Sequence, residues 1–298
     1  METETNLDKK STYIIRSASI QEVKEIHIGW AIAEQRNPGK FDWQVFPAVD
    51  PEGFLVGELD GKIITCISAL KINEDYGFFG FYICKKEYRG FGYGLKIFRA
   101  ALDRLSEQKC IGLDGVEAQI PNYVKSGFSP YFQSQRHMLP SSETVEAPLG
   151  EDSSTTLVTS RIMFENAGRL MEQIQGVNLL EYFLHLSEIP EIKCVGLMHA
   201  DELAGFGVIR PANQGWRIGP LYALSSSIAE KIFQSLVAGI PKDTPVFLDI
   251  PMNNPTAVSL AKTFGLISVF PCMRMYTSEP PITNNSQLFG LLSWEIGP

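Results

Sequence analysis

The sequence predicts an α/β (α+β) protein of two similar domains, each with a mixed sheet flanked by helices. Three observations lead to this prediction. Strand patterns precede and follow an amphipathic helix in the first half, segments of that half recur in order in the second, and a polar segment separates the halves. A length of 298 residues suits two domains that each bury a core.

Local patterns place the elements of the first half. Strands are predicted at residues 12–16, 54–59, 62–72, 77–84, 111–119 and 131–139. Ser19 begins a helix, since Glu22 completes a capping box, and Asp60-Gly61 is a favoured hairpin turn. A later helix carries apolar residues at spacings of three and four on one face, namely Leu95, Phe98, Leu102 and Leu105. About one helical turn is expected at 122–126.

Repeated segments support a duplicated domain. Lys96-Ile97-Phe98 recurs as Lys231-Ile232-Phe233, and Arg136 and Arg274 each follow a helix-ending glycine by nine residues. Between the repeats, residues 140–156 are rich in Ser, Thr, Glu and Pro and lack apolar periodicity. We therefore expect a first domain at 1–140, a linker at 141–155 and a second domain at 156–298.

Composition and charge limit the class of protein. With 26 basic and 34 acidic side chains, the chain has a net charge of −8, which argues against binding nucleic acid by neutralising phosphates. There is no secretion signal, membrane-spanning stretch or metal-binding cluster, and the five cysteines are scattered without paired spacing. We expect a cytoplasmic protein with no metal and with no nucleic-acid or membrane partner; its oligomeric state stays open.

The segment Arg89-Gly90-Phe91-Gly92-Tyr93-Gly94, between an apolar strand and a helix, is the one that predicts chemistry. Glycines let the backbone turn its N–H groups toward a ligand, and the helix N-terminus adds a partial positive charge. Together they favour a phosphate group. The spacing fits neither a P-loop, which needs Gly-Lys-Ser/Thr, nor the G-x-G-x-x-G dinucleotide fingerprint.

The loop after the strand, Arg89-x-x-Gly92-x-Gly94, resembles the acyl-CoA pyrophosphate loop of the GCN5-related N-acetyltransferases (GNAT). A later element of that family is matched by Tyr123-x-x-x-Gly127-Phe128. The resemblance covers about residues 12–139 and implies mostly antiparallel sheets, acetyl-CoA as co-substrate and transfer to an amine acceptor. The cofactor-binding residues that it implies are Tyr82, Ile83, Cys84, Arg89, Gly90, Phe91, Gly92, Tyr93 and Gly94, with Asn122 as a further pantetheine contact. Pro121 departs from the family, which has a longer helix here.

The resemblance also implies direct attack by the amine, without a covalent acyl-enzyme. A backbone N–H near Cys84 would stabilise the oxyanion, and Tyr123 would donate a hydrogen bond to the leaving thiolate. Glu117 is the first candidate for the general base and His137 the second. The Cys84 thiol is not expected to be a nucleophile, because it lies on the CoA-binding strand.

The second half resembles the same fold without its loop. Leu224–Ala229 stand opposite Arg89–Gly94 and contain neither arginine nor glycine, while Ala261 stands opposite Tyr123. This arrangement resembles tandem acetyltransferases of the bacterial YitH type and predicts one acetyl-CoA site. Apolar residues 288–294 are expected to pack as a closing strand. Two alternatives stay open, a non-catalytic acyl-CoA sensor and a protein-binding scaffold.

Overall fold

The computed structural model describes residues 11–148, 161–199, 202–280 and 285–297, and the described residues form one sheet of 12 strands. The strands are β1 (Tyr13–Ser17), β2 (Phe54–Leu59), β3 (Lys62–Lys71), β4 (Tyr76–Cys84), β5 (Cys110–Gly115), β6 (Ser129–Leu139), β7 (Lys193–His199), β8 (Glu202–Pro211), β9 (Trp216–Ala223), β10 (Val246–Pro251), β11 (Ile267–Tyr276) and β12 (Leu288–Gly290). Their order is β1-β2-β3-β4-β5-β11-β6-β10-β9-β8-β7, with β12 beside β9.

Helices cover both faces of this sheet. They are α1 (Ile20–Glu22), α2 (Gly29–Ala33), α3 (Asp42–Val45), α4 (Tyr93–Arg104), α5 (Ile120–Lys125), α6 (Arg161–Gln175), α7 (Leu180–Ser187), α8 (Ser226–Ala238) and α9 (Pro255–Thr263). One apolar cluster lies under α4, a second under α8 and α9, and a third joins the two halves on the opposite face. The predicted mixed, mostly antiparallel sheet flanked by helices is confirmed.

The two halves exchange their last long strands. β6, from the first half, pairs with β10 of the second, and β11, from the second half, pairs with β5 of the first. The exchanged strands also pair with each other along most of their length. The first domain is therefore completed by a strand from the second.

Two buried ion pairs fix this exchange, and they use the repeated arginines. Arg136 on β6 donates to Asp249 on β10 at 2.7 Å, and Arg274 on β11 donates to Asp114 on β5 at 2.8 Å. All four side chains are buried. Removing one partner of such a pair leaves a buried charge uncompensated, so each pair opposes separation of the halves.

Most predicted elements of the first half are present. The capping box at Ser19 forms, and Asp60 and Gly61 adopt φ angles of 49° and 83°, as the predicted hairpin turn requires. Leu95 differs from the prediction, because it is 48% exposed while Ile97 and Ala101 form the buried face of α4 with Phe98. The apolar stripe is rotated because the first turn of α4 borders a cleft.

One strand boundary was wrong, and the start of the expected linker is ordered. The strand predicted at 111–119 ends at Gly115, and Glu117–Gln119 form a 3₁₀ turn that leads into α5. The linker expected at 141–155 begins as packed structure, since the Ser142 N–H donates to the Thr244 carbonyl and Val145 is buried against the second half. Residues 149–155 lie outside the described residues.

Candidate functional site

A cleft opens where β4 and β5 separate. The two parallel strands pair only from Tyr76 to Phe79, and beyond this point Gly80–Cys84 continue without β5. The cleft has a volume of about 1460 Å³ and receives side chains from both halves of the chain. Because drug-sized ligands occupy roughly 300–1,000 Å³, it has room for two substrates.

The edge of β4 that faces this cleft offers backbone groups. A bulge interrupts its pairing with β3, and Phe81 at the bulge has a φ of 47°. The Lys85 N–H donates to the Ile64 carbonyl on β3. Because successive residues of a strand direct their N–H groups to opposite edges, the Cys84 N–H points to the cleft.

The glycine-rich loop leads from β4 into the N-terminus of α4. Gly90 and Gly92 have φ angles of 87° and 82°, which a residue with a side chain adopts only with strain. Gly92 is the N-cap, and no side chain caps the first turn. The early N–H groups of the helix are thus left for water or for an anion. Gly94 allows the close approach of Tyr82, whose Oη would lie 2.9 Å from an added Cβ.

Arg89 holds this loop against the strand. Its Nε donates to the Cys84 carbonyl at 2.8 Å, and its Nη2 forms an ion pair with Glu34 at 2.7 Å. The guanidinium is 48% exposed, so it can reach an anion as well. The sequence predicted a ligand contact, and the structure adds this anchoring role.

Tyr123 lies on α5 beside β5. Its ring packs against Phe98 and Phe128 and leaves no room for a side chain at Gly115. Burial, partly opposed by the positive charge of Arg36, raises the pKa of Tyr123 to about 12. The phenol therefore stays protonated at neutral pH and can donate a hydrogen bond into the cleft.

The cleft brings together most of the residues that the sequence singled out, but not all of them. Those that line it are Tyr82, Ile83, Cys84, Arg89, Gly90, Gly92, Gly94, Glu117 and Tyr123. Phe91 is 72% exposed, and Tyr93 packs against Tyr13. Asn122 lines an adjoining groove and donates to Gln119, while His137 is buried and bonds to the Gln135 carbonyl. Burial raises the pKa of the Cys84 thiol, which disfavours the thiolate.

Several lining residues were missed by the sequence reasoning, and three of them make polar or aromatic contacts at the site. Arg36 follows α2 and donates to the Tyr82 carbonyl, while Trp294 and Glu295 come from the C-terminal tail. Glu295 accepts the Phe81 N–H at 2.7 Å and lies 3.5 Å from Arg36. The one feature of the sequence that could have indicated Glu295 is its charge within an otherwise apolar tail.

Metal-binding groups and membrane-spanning helices are both absent from the described residues. No group of three or more His, Cys, Asp or Glu side chains among them could hold a metal ion. Within the same part of the chain, no helix is both long enough and apolar enough to cross a membrane.

Comparison with known proteins identifies the fold and the family. A model of the acetyltransferase (GNAT) family matches residues 20–128, and a model of the acetyltransferase (GNAT) domain matches residues 176–290. A protein of Pyrococcus horikoshii assigned as an acetyltransferase has a TM-score of 0.79 at 22% identity and covers 99% of both chains. A tandem GNAT protein from the clavulanic acid biosynthesis pathway has a TM-score of 0.63 at 11% identity, covering 89% of this chain and 98% of its own.

Two relatives match in sequence over most of their length. Holothin acyltransferase of Pseudoalteromonas sp. (strain SANK 73390) is 27% identical over 98% of this chain and 97% of its own. The uncharacterized N-acetyltransferase YitH of Bacillus subtilis (strain 168) is 25% identical over 80% of this chain and 83% of its own. The chain therefore belongs to the GNAT family of acyltransferases and carries two GNAT domains in tandem.

Proposed function

We propose that the protein transfers an acetyl group from acetyl-CoA to an amine of a small molecule or a protein. One observation carries this proposal: the open edge of β4 runs directly into the uncapped N-terminus of α4, with Tyr123 on the other side of the same cleft. The match to holothin acyltransferase supports acyl transfer as the reaction class. The acetyl group and the amine acceptor belong to the proposal.

The donor would lie along the strand and the loop. The pyrophosphate fits the N–H groups around Gly90 and Gly92, where the dipole of α4 adds favourable charge. Arg89 would contribute a cation while keeping the loop fixed to β4. The backbone N–H groups of Tyr82 and Cys84 would donate to the amide carbonyls of the pantetheine arm, while the two carbonyl groups already accept from Arg36 and Arg89.

The chemistry needs a neutral amine, an oxyanion donor and a proton for the leaving sulfur. Glu117 is our candidate to accept the ammonium proton, directly or through water. The amine nitrogen then forms the new bond to the carbonyl carbon while the backbone N–H of Cys84 donates to the developing oxyanion. As the C–S bond breaks, Tyr123 donates its proton to the sulfur, the bound nitrogen releases its second proton to solvent to give the amide, and Tyr123 regains a proton from solvent.

Two further assignments follow from this proposal. We place the domain boundaries at 1–140 and 156–298, with the exchanged strands β6 and β11 crossing between the domains. We assign the protein to the cytoplasm, where acetyl-CoA is available and where its five free cysteines would stay reduced.

The test combines calorimetric titration of acetyl-CoA with a thiol-release assay on mixtures of amines. We expect one donor site per chain, amine-dependent release of free CoA, and an acetylated product that mass spectrometry identifies. Donor binding without transfer to any amine would favour the acyl-CoA sensor. Absence of donor binding would reject the acetyltransferase and leave the scaffold.

A further inference from the structure

The cleft has a second wall, built by the second half of the chain. β11 pairs with β5 only over Met273–Tyr276, so its earlier residues extend past the end of β5. A register shift between Ser268 and Phe270 marks a bulge in this extension. As a result, the consecutive residues Val269 and Phe270 both line the cleft.

This wall is apolar, and its Val269 and Phe270 side chains are open to the cleft, whereas Trp294 packs behind them as a buried residue. Val269 and Phe270 are each 44% exposed, and the indole of Trp294 packs against the Phe270 ring with 5.9 Å between ring centroids. The Arg136 guanidinium also lies over the indole ring, 4.2 Å from the ring centroid. Trp294 Nε1 is buried and has no hydrogen-bond partner among the described residues. Adjacent exposed apolar groups inside a cleft indicate a ligand surface.

Most charged residues of the cleft already have an ion-pair partner, either within the cleft or buried behind it. Arg136 binds Asp249, Arg36 lies against Glu295, Arg89 binds Glu34, and Asp114 binds Arg274. Glu117 is the charged lining residue that forms no ion pair with any described residue. A polycationic acceptor would therefore find one unpaired carboxylate in the cleft, and the apolar wall carries no charged side chain to bind its other amines.

We infer that the wall formed by Val269, Phe270 and Trp294 binds the acceptor, and that the acceptor is a primary amine on a flat, apolar ring system. The ring would lie on this wall, with its amine directed to the side of the cleft that holds Glu117. This inference rests on the proposed function and assigns its substrate class. The net charge of −8 would attract polyamines to the protein as a whole. It does not describe the cleft, because most charged residues there already have an ion-pair partner.

The test compares acceptors and variants at saturating acetyl-CoA. 2-Phenylethylamine and tryptamine serve as apolar probes, and spermidine and Nα-acetyl-lysine serve as polar probes. We expect kcat/KM at least about tenfold higher for the apolar probes, since apolar pockets discriminate by about 10–200-fold. Phe270→Glu should lower kcat/KM for the apolar probes about tenfold, raise it for spermidine and leave acetyl-CoA affinity unchanged; Phe270→Ala should show the loss without the gain.

Ile267→Glu is the matched control. Ile267 lies on the same strand and is 49% exposed, but it does not line the cleft, so this variant should leave the ratio of the four probes unchanged. Faster turnover of the polar probes, or equal effects of the two glutamate variants, would overturn the inference while leaving the acetyltransferase intact. Failure of acetyl-CoA to bind, or of any amine to be acetylated, would reject the proposed function and this inference with it.

Discussion

The two halves share a fold but differ in how the corresponding helices, α4 and α8, are capped at their N-termini. In the first half, α4 follows Gly92, which has a positive φ and provides no side-chain cap. In the second half, α8 follows Ser225, whose Oγ accepts the Ile228 N–H. One helix leaves its first N–H groups free for an anion, whereas the other satisfies one of them with its own side chain.

The halves also differ in what lies between their separating strands. β9 and β10 pair over three residues, and the space beyond is occupied by β12, which pairs with β9. The Leu291 N–H donates to the Asp249 carbonyl, and the Asn254 amide donates to the Leu288 carbonyl. The closing strand expected at 288–294 is thus present only over Leu288–Gly290, as β12. The second half fills with its own chain the kind of opening that is free in the first, which gives the physical reason to expect one acetyl-CoA site.

The largest effect on stability should come from removing a carboxylate from the buried ion pairs that hold the exchanged strands. Asp249→Ala would leave both Arg136 and Arg217 buried without their carboxylate partner, whereas Asp114→Ala would remove the partner of Arg274 only. We expect Asp249→Ala to lower the free energy of unfolding by about 3–5 kcal/mol, and Asp114→Ala by less. Urea unfolding followed by circular dichroism would measure both. Equal losses would show that the second arginine adds nothing.

The same pair has a predictable pH dependence. Burial opposes ionisation of Asp249, but Arg136 and Arg217 outweigh it and hold the pKa of this carboxyl at about 2. The stabilisation is therefore complete above the ordinary value of 3.8 and is lost as the pH falls through about 2. Urea midpoints between pH 5 and pH 2 should fall more steeply in the wild type than in Asp249→Ala. Parallel curves would contradict this assignment.

Tyr123 tests the chemistry of the first half, since its counterpart in the second is Ala261. Tyr123→Phe keeps the ring that packs against Phe98 and Phe128 but removes the proton donor. We expect kcat to fall about a hundredfold, with acetyl-CoA affinity and stability unchanged. Because its pKa is raised to about 12, loss of the Tyr123 proton should not reduce wild-type kcat between pH 7 and 10. A variant with normal kcat would remove Tyr123 from the mechanism.

The glycine loop predicts a smaller effect, on binding. Gly92→Ala places a side chain at a φ of 82° in the loop, and Gly265→Ala creates the same kind of strain at a φ of 67° in the second half. Each has open space for the added Cβ, so both should lose similar stability. We expect about tenfold weaker acetyl-CoA binding, measured by calorimetry, for Gly92→Ala alone. Equal weakening in both variants would assign the effect to strain.

Local signals in the sequence were sufficient for the elements that depend on neighbouring residues. The capping box at Ser19, the Asp60-Gly61 turn and the glycine loop each need only a few adjacent positions, and each is present. The duplication was also visible, because Arg136 and Arg274 repeat at the same offset from a glycine. Their shared purpose, to bind the carboxylate of the opposite half, was not visible from spacing.

What the sequence did not predict depends on contacts between distant segments. Nothing near Glu295 indicates that its carboxylate accepts the Phe81 N–H, a contact that spans 214 positions. The strand exchange is equally hidden, because no signal within β6 or β11 specifies which distant strand each will pair with. The acceptor wall was missed for the same reason, since Phe270 lies within residues 156–298, which the sequence assigned to the second domain alone.

The smallest effect should come from the capping serine of the second half. Ser225→Ala removes the acceptor for the Ile228 N–H and should lower the free energy of unfolding by about 1 kcal/mol. It frees an N–H group at the start of α8, yet calorimetry should still find one acetyl-CoA site per chain. The reason is that β12 occupies the space beside β9 whether or not the helix is capped. A second site in this variant would mean that the turn alone, and not the open strand edge, decides which half binds the donor.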